Sequence, residues 1–137
     1  MVLELNATLQ GRLERWAQQG YPQECCGLLV GHVADGLVRV EEAMQARNAN
    51  AERALDRYEI DAQDFLRADA LARARQLDIV GIWHTHPDHP ARPSDTDRAQ
   101  AWNGWSYLIL AVGAQGVEAM RSWRLAGQDF VEEEVRS

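Results

Sequence analysis

The sequence predicts an α/β domain in which a mixed β-sheet is flanked by helices. Three observations favour this class. Apolar runs of strand length, such as IVGIW at 79–83, alternate with amphipathic segments of helical period. The chain has 137 residues, 46% of them hydrophobic, which suffices for one core and hardly for two. No linker rich in Gly, Ser or Pro divides it, so we expect a single domain over 1–137.

A helix followed by a hairpin is predicted for the first third of the chain. Apolar residues at helical spacing follow the capping residue Asn6, which indicates a helix over roughly 7–19. The sequence ECCGLLVG at 24–31 is typical of a buried strand. The Asp-Gly pair at 35–36 has the chemistry of a tight turn into a second strand near 37–42.

The middle of the chain contains the least regular segment. Residues 43–58 are polar and show no clean period, so we expect an extended or mobile connection that leads into a short strand at 57–61. Asp61 begins an Asp-x-x-Asp pattern, which is typical of the start of a helix and predicts one over about 62–77. The continuous apolar run at 79–83 fits a central strand buried on both faces.

The last third combines a helix with three strands. A helix is expected to begin at Ser94. The segments 106–112 and 117–125 predict a hairpin, and 130–135 an edge strand. We expect the large aromatic residues of this region to lie in the core: Trp102, Trp105 and Trp123.

Composition excludes several functional classes. The formal charge of −7 and the absence of a basic cluster argue against a nucleic-acid surface. All basic residues are Arg, which removes lysine-based catalysis. Neither a secretory signal nor an apolar run of membrane-spanning length is present, so we expect a cytoplasmic protein with no membrane partner. The adjacent cysteines at 25–26 suit buried thiols better than a disulfide or a zinc knuckle.

The stretch HTHPDHPARPSDTD at 84–97 has the spacing of a metal site. On a strand, His84 and His86 project to the same side, so that their imidazoles can share one ion. The proline-rich loop 88–93 can turn the chain back, and Asp97 then supplies a third ligand. The alternative is a purely structural role, in which Ser94 and Asp97 form a helix-capping box and the histidines stabilise the fold. Five specified residues in register arise by chance on the order of once in a hundred thousand such chains, which favours the metal site.

These residues carry a resemblance to a known family. The HTHP sequence at 84–87, followed after six residues by Ser94 and after two more by Asp97, resembles the JAMM motif of the MPN (Mov34/PAD-1) metallopeptidases. The stretch 22–31 is similar to the family's strand that bears a catalytic glutamate, and the resemblance extends through 106–112 over most of the chain. It implies the cytidine-deaminase-like MPN fold.

The resemblance also implies a role for each site residue. His84, His86 and Asp97 are expected to bind one zinc ion, Glu24 to act as the general acid/base, and Ser94 to stabilise the tetrahedral intermediate. Chemistry supports this assignment independently, because three protein ligands leave a fourth position open, as in catalytic zinc sites. A zinc ion bound by two neutral imidazoles and one carboxylate has a net charge near +1. It therefore acidifies a bound water less than a zinc ion with three histidine ligands would, which makes a nearby base useful.

The remaining histidines, His32 and His89, are expected on the surface or next to the ligands, and neither should ligate the metal. The resemblance is closest to short bacterial and archaeal JAMM proteins. It implies a peptidase or isopeptidase that acts on the C-terminal tail of a ubiquitin-like sulfur carrier, whose tail could add as a strand to segment 43–58. Two alternatives are a non-catalytic MPN module that binds ubiquitin-like proteins or scaffolds an assembly, and a purely structural zinc.

Overall fold

The computed structural model of the chain describes residues 1–50, 54 and 57–137. In chain order, its helices and strands are β1 (Val2–Glu4), α1 (Ala7–Gly20), β2 (Cys26–Ala34), β3 (Leu37–Ala46), α2 (Ala62–Ala74), β4 (Asp78–Pro87), α3 (Asp95–Gln100), β5 (Ser106–Gly113), β6 (Gly116–Ala126) and β7 (Asp129–Arg136). The α/β class predicted from the sequence is therefore confirmed.

The strands form one sheet that closes into a barrel in the order β1-β3-β2-β4-β5-β6-β7. Closure was not part of the sequence-based expectation. It depends on the three-residue strand β1, which is too short to show a period and pairs in parallel with both β3 and β7. The prediction of an edge strand at 130–135 is therefore wrong, because β7 has a partner on each side.

The three predicted helices are confirmed, with α2 ending three residues early, at Ala74. Asn6 and Asp61 cap α1 and α2 by accepting backbone N–H bonds. The two helices cover opposite faces of the strands. α1 packs on the face that carries Trp83, and α2 on the face that carries Ile82. None of the helices in the described ranges is long and apolar enough to cross a membrane.

The hairpin between β2 and β3 turns at Asp35 and Gly36, which both have positive φ, as a two-residue type I′ turn requires. Strand β3 runs on to Ala46, so the expectation of irregular chain from 43 onward is wrong for its first four residues. The predicted strand at 57–61 is also wrong, since the pairing there is a single bridge between Asn48 and Ile60. Residues 51–53 and 55–56 of the predicted connection lie outside the described residues.

Strand β4 is held centrally by pairing with β2 and β5 and by Trp83. The fully buried Trp83 indole donates a hydrogen bond to the Met44 carbonyl at 2.9 Å and stacks on Trp16 at 5.6 Å between ring centroids. This fixes the strand directly before the histidines. Among the other tryptophans the core prediction is wrong for Trp102, which is 68% exposed, while Trp105 and Trp123 are half-buried.

Candidate active site

The end of β4 places two histidines on one face of the strand. His84 and His86 are both buried, and their Nε2 atoms lie 3.2 Å apart. Thr85 points the other way and ties β4 to the start of β2. Its Oγ1 accepts a hydrogen bond from the Cys25 N–H at 2.9 Å, and its own N–H donates to the Cys25 carbonyl at 2.9 Å. This pairing holds Glu24, the neighbour of Cys25, at the same end of the barrel.

Asp97 reaches the histidines from the first turn of α3. The Ser94 N–H donates to Asp97 Oδ2 at 2.9 Å, and the Asp97 N–H donates to Ser94 Oγ at 3.0 Å. These two bonds form the helix-capping box that was the alternative interpretation of the sequence. The same Oδ2 lies 3.1 Å from His86 Nε2 and 3.3 Å from His84 Nε2. The capping box therefore orients the carboxylate toward the histidines, and the two interpretations are compatible.

The three facing atoms form a nearly equilateral triangle with edges of 3.1 to 3.3 Å. Ligand atoms about 2.1 Å from a tetrahedral zinc lie roughly 3.4 Å from one another, so His84, His86 and Asp97 fit a zinc ion with little rearrangement. Within the described residues these three form the group of His, Cys, Asp or Glu side chains able to hold a metal. Three donors in this arrangement leave a fourth coordination position for a non-protein ligand.

The pKa shifts of two of the three residues, His84 and Asp97, suit cation binding. Burial lowers the pKa of His84, which favours the neutral imidazole that a metal ligand must be. Burial raises the pKa of Asp97, but the hydrogen bonds from His84 and His86 outweigh it and hold that pKa far below its usual range. Burial likewise opposes the charged form of His86, but its hydrogen bond with Asp97 leaves its pKa raised overall.

The two rings are oriented by different neighbours. His86 Nδ1 donates to the Pro90 carbonyl at 2.8 Å, which leaves Nε2 as the atom that faces Asp97. The His84 ring stacks on Tyr58 with centroids 4.3 Å apart. His84 Nδ1 is buried and has no hydrogen-bond partner within the described part of the chain. Aromatic stacking therefore takes the place, at His84, of the orienting hydrogen bond that His86 has.

Glu24 and Ser94 meet the histidines at a cavity of about 300 Å³, called here the catalytic cavity, which is lined by Glu24, His86, His89, Pro90, Arg92 and Ser94. Glu24 is 8% exposed and lines the same cavity as His86, and its charge contributes to the raised pKa of His86. Its backbone is held from the other side, where Asn48 Nδ2 donates to the Glu24 carbonyl at 3.3 Å. His89 lines the cavity without joining the ligand group, and His32 lies in a separate surface depression.

A second, larger cavity of about 730 Å³ is bordered by Tyr58, whose ring stacks on His84. We call it the aromatic cavity. Tyr58 links this cavity to the histidines, since its ring stacks on His84 and the residue also lines the cavity. Sequence reasoning missed Tyr58, although a tyrosine in an otherwise polar segment was an available signal. The other lining residues are Glu59, Ile60, Phe65, Ile82, Gln100, Trp102, Asn103, Trp105 and Tyr107.

Comparison with known proteins places this geometry in context. The family model described as prokaryotic homologs of the JAB domain matches residues 6–126. A desampylase from Haloferax volcanii is 36% identical over 92 residues, which are 66% of this chain and 63% of that protein. The match thus spans less than two thirds of the desampylase's own length.

Two further similarities extend over nearly the whole chain. A CysO-cysteine peptidase from Mycobacterium tuberculosis is 29% identical over 136 residues, covering 98% of this chain and 90% of that protein. The crystal structure of a JAB1/MPN domain protein from Archaeoglobus fulgidus superposes with a TM-score of 0.57 at 16% identity and covers 100% of each chain. At that identity the structural likeness speaks for the fold alone.

Proposed function

Because this chain belongs to the family of prokaryotic homologs of the JAB domain, we propose that it is a zinc metallopeptidase acting on the C-terminal tail of a ubiquitin-like sulfur carrier. The reaction is hydrolysis of the amide bond that joins the tail to a residue, a peptide or a lysine side chain. The observation that carries the proposal is the His84, His86 and Asp97 triangle at the edge of a cavity that Glu24 also lines. The names of the desampylase and the CysO-cysteine peptidase support the substrate class.

His84, His86 and Asp97 would hold the zinc ion. Bound there, zinc would supply a Lewis acid that polarises the scissile carbonyl and acidifies water. Glu24 then acts as the proton carrier. Its carboxylate accepts the proton of the attacking water and returns it to the nitrogen of the leaving amine. Low exposure of Glu24 favours this role, because a nearly buried carboxylate exchanges protons with the substrate rather than with bulk solvent.

Ser94 serves two purposes in this proposal. Its Oγ accepts the capping bond from the Asp97 N–H, and its hydroxyl proton is not donated to any group in the described part of the chain. The hydroxyl is therefore able to donate to the oxygen that becomes negatively charged when the carbonyl is attacked. Capping uses a lone pair of the hydroxyl oxygen, whereas oxyanion stabilisation uses the hydroxyl proton, so the two roles are compatible.

The carrier tail is assigned to the side of Tyr58. The aromatic cavity borders the ring that stacks on His84, and it offers apolar surface to the side chains that precede a Gly-Gly terminus. Two glycines at the end of the tail would allow its backbone to approach the ligand group closely. The isolated bridge between Asn48 and Ile60 marks the candidate edge for strand addition by the tail.

The test combines elemental analysis with hydrolysis of a panel of ubiquitin-like carriers that bear different C-terminal extensions. Glu24→Gln should retain zinc and fold but lose turnover by a factor of about 10² or more. His84→Ala and Asp97→Ala should lose both zinc and turnover. Arg15→Ala, on the surface of α1, is the matched control and should retain both.

Three outcomes would contradict the proposal in different ways. A zinc-loaded protein that binds carriers but cleaves none indicates a non-catalytic module. Unchanged activity of Glu24→Gln, together with unfolding on zinc removal, indicates a structural metal. Cleavage of generic peptides but of no carrier refutes the substrate class and leaves the peptidase chemistry standing.

A further inference from the structure

Arg92 is one of the described residues that line the catalytic cavity, and the proposed mechanism does not use it. Its side chain is exposed and makes no ion pair or hydrogen bond within the described residues. This is unusual for an arginine in this acidic chain, because most of the others face a carboxylate at 3.3 Å or less: Arg12, Arg39, Arg47, Arg67, Arg73, Arg75, Arg98, Arg121 and Arg136. An exposed positive charge that lines the cavity and has no partner among the described residues is available to an anion.

The backbone around Arg92 is held firmly. The Arg92 N–H donates to the Pro90 carbonyl at 2.8 Å, and that same carbonyl accepts from His86 Nδ1 at 2.8 Å. The preceding residue, Ala91, is buried, and its carbonyl accepts a bond from Trp123 Nε1 at 3.0 Å. The guanidinium is therefore carried by a segment that is attached to a metal-site histidine on one side and to β6 on the other. Such attachment fixes the origin of the side chain relative to the reacting atoms.

The two cavities differ in chemistry as well as in size. The aromatic cavity carries apolar side chains, whereas the catalytic cavity combines Glu24, His86 and Ser94 with the cation of Arg92. Its 300 Å³ lies at the lower limit of small-molecule pockets, which run from about 300 to 1,000 Å³. A space of that size suits a single amino acid residue better than a folded protein.

We propose that Arg92 binds the free α-carboxylate of a single amino acid on the leaving side of the scissile bond. This inference rests on the proposed function and narrows its substrate class to carriers that bear one extra C-terminal residue. A guanidinium can pair with a carboxylate through two parallel hydrogen bonds, which fixes direction as well as distance. In an isopeptide the leaving amine is a lysine side chain of a protein, and no carboxylate stands next to it to meet Arg92.

Hydrolysis of such an adduct balances without any further reactant. The water oxygen bonds to the carbonyl carbon, the C–N bond breaks, and the leaving nitrogen takes the proton that Glu24 holds. The products are the carrier with a free C-terminal carboxylate and one free amino acid. Arg92 touches the leaving residue and none of the reacting atoms, so it is a specificity-determining residue.

The experiment compares two forms of one probe, a ubiquitin-like sulfur carrier that ends in Gly-Gly-Cys with either a free carboxylate or a carboxyamide. The wild-type enzyme should prefer the free acid at least tenfold in kcat/KM. Arg92→Ala should lower kcat/KM for the acid by about ten- to a hundredfold, the range expected for a lost charge-assisted pair. It should leave the amide nearly unchanged. Arg98→Ala, an exposed and ion-paired arginine on α3, is the control and should keep the wild-type preference.

A binding measurement gives a readout that does not depend on turnover. In the Glu24→Gln background, fluorescence anisotropy should show tighter binding of the acid than of the amide. Adding Arg92→Ala should abolish the difference, and Arg92→Lys should restore part of it.

The outcomes separate this inference from the proposed function. Equal cleavage of acid and amide by the wild-type enzyme overturns the role of Arg92 and leaves the peptidase assignment intact. An equal loss on both substrates in Arg92→Ala also overturns it, because it indicates a structural effect. Cleavage of neither form by the zinc-loaded wild-type protein overturns both. The acid-to-amide ratio of the wild type requires no variant, so the inference does not depend on how any variant folds.

Discussion

Ser94 offers a sharp test, because the structure gives it two separable roles. Its Oγ caps α3 by accepting the Asp97 N–H, and the proposed mechanism uses its O–H as a donor. Three substitutions separate these roles. Ser94→Thr keeps both the cap and the hydroxyl, Ser94→Gly keeps most of the capping preference without a hydroxyl, and Ser94→Ala loses both.

The expected magnitudes follow from these contacts. Loss of the cap in Ser94→Ala should lower the free energy of unfolding by about 1 kcal/mol, whereas Ser94→Gly should cost only a few tenths. For a chain of this length, 1 kcal/mol corresponds to roughly 3–5 °C in Tm. Loss of an oxyanion donor should lower kcat by about 10²–10³, equally in both variants. Zinc content should be unchanged, since the bond to Asp97 Oδ2 comes from the backbone N–H of Ser94.

The assay measures Tm, zinc content and kcat on one cleavable carrier for the wild type and the three variants. Catalytic loss should follow the hydroxyl, and stability should follow the cap. Wild-type kcat in Ser94→Gly would show that the serine only caps the helix, and the oxyanion role would be abandoned. A loss of zinc in Ser94→Gly would instead indicate that the serine acts through the position of Asp97.

The remaining predictions concern stability. Trp83→Phe removes the hydrogen bond that the buried Trp83 indole donates to the Met44 carbonyl and should lower the free energy of unfolding by about 1–3 kcal/mol, measured by urea denaturation. No change would mean that the carbonyl finds another donor. The backbone N–H of Arg47 and the side chain of Arg67 hold the pKa of Asp64 at about 2. Because the pKa of Asp64 is lower in the folded state, its carboxylate stabilises the fold fully above about pH 4. This contribution to the free energy of unfolding is lost as the pH falls toward 2. Asp64→Asn should therefore be less stable than wild type by about 1 kcal/mol at pH 7, after allowance for solvent screening, and the gap should close between pH 4 and 2. A gap that is independent of pH in that range would refute the ionic explanation. Chelation of zinc from the loaded protein should lower Tm, since an ion present at a hundred times its Kd adds about 2.7 kcal/mol of stability. An unchanged Tm would mean that zinc does not bind the folded chain in preference to the unfolded chain.

Much of the fold was predictable because its signals are local. The helix caps at Asn6 and Asp61 and the Asp-Gly turn at 35–36 each follow from the residues within one turn of chain. The central strand was predictable from its unbroken apolar run, since only a strand covered on both faces tolerates one.

The errors in prediction arose where structure depends on distant partners. Strand β1 forms because β3 and β7 pair with it on either side, and its three residues are too few to carry a strand pattern. The pattern of β7, with three consecutive glutamates at 132–134, is typical of an edge, and only closure of the barrel gives it a second partner. The exposure of Trp102 likewise reflects the cavity beside it, which is formed by several elements.

The sequence by itself determined which residues meet in the group that could hold a metal, because the alternation of a strand puts His84 and His86 on one face and a capping box orients Asp97 at a helix start. Only the tertiary structure decided what surrounds that group. Tyr58, which stacks on His84, and Glu24 and Arg92, which line the cavity, come from three separate segments of the chain. Side chains so far apart in sequence share no local period, and their meeting depends on strand pairing and loop anchoring that only the folded barrel supplies.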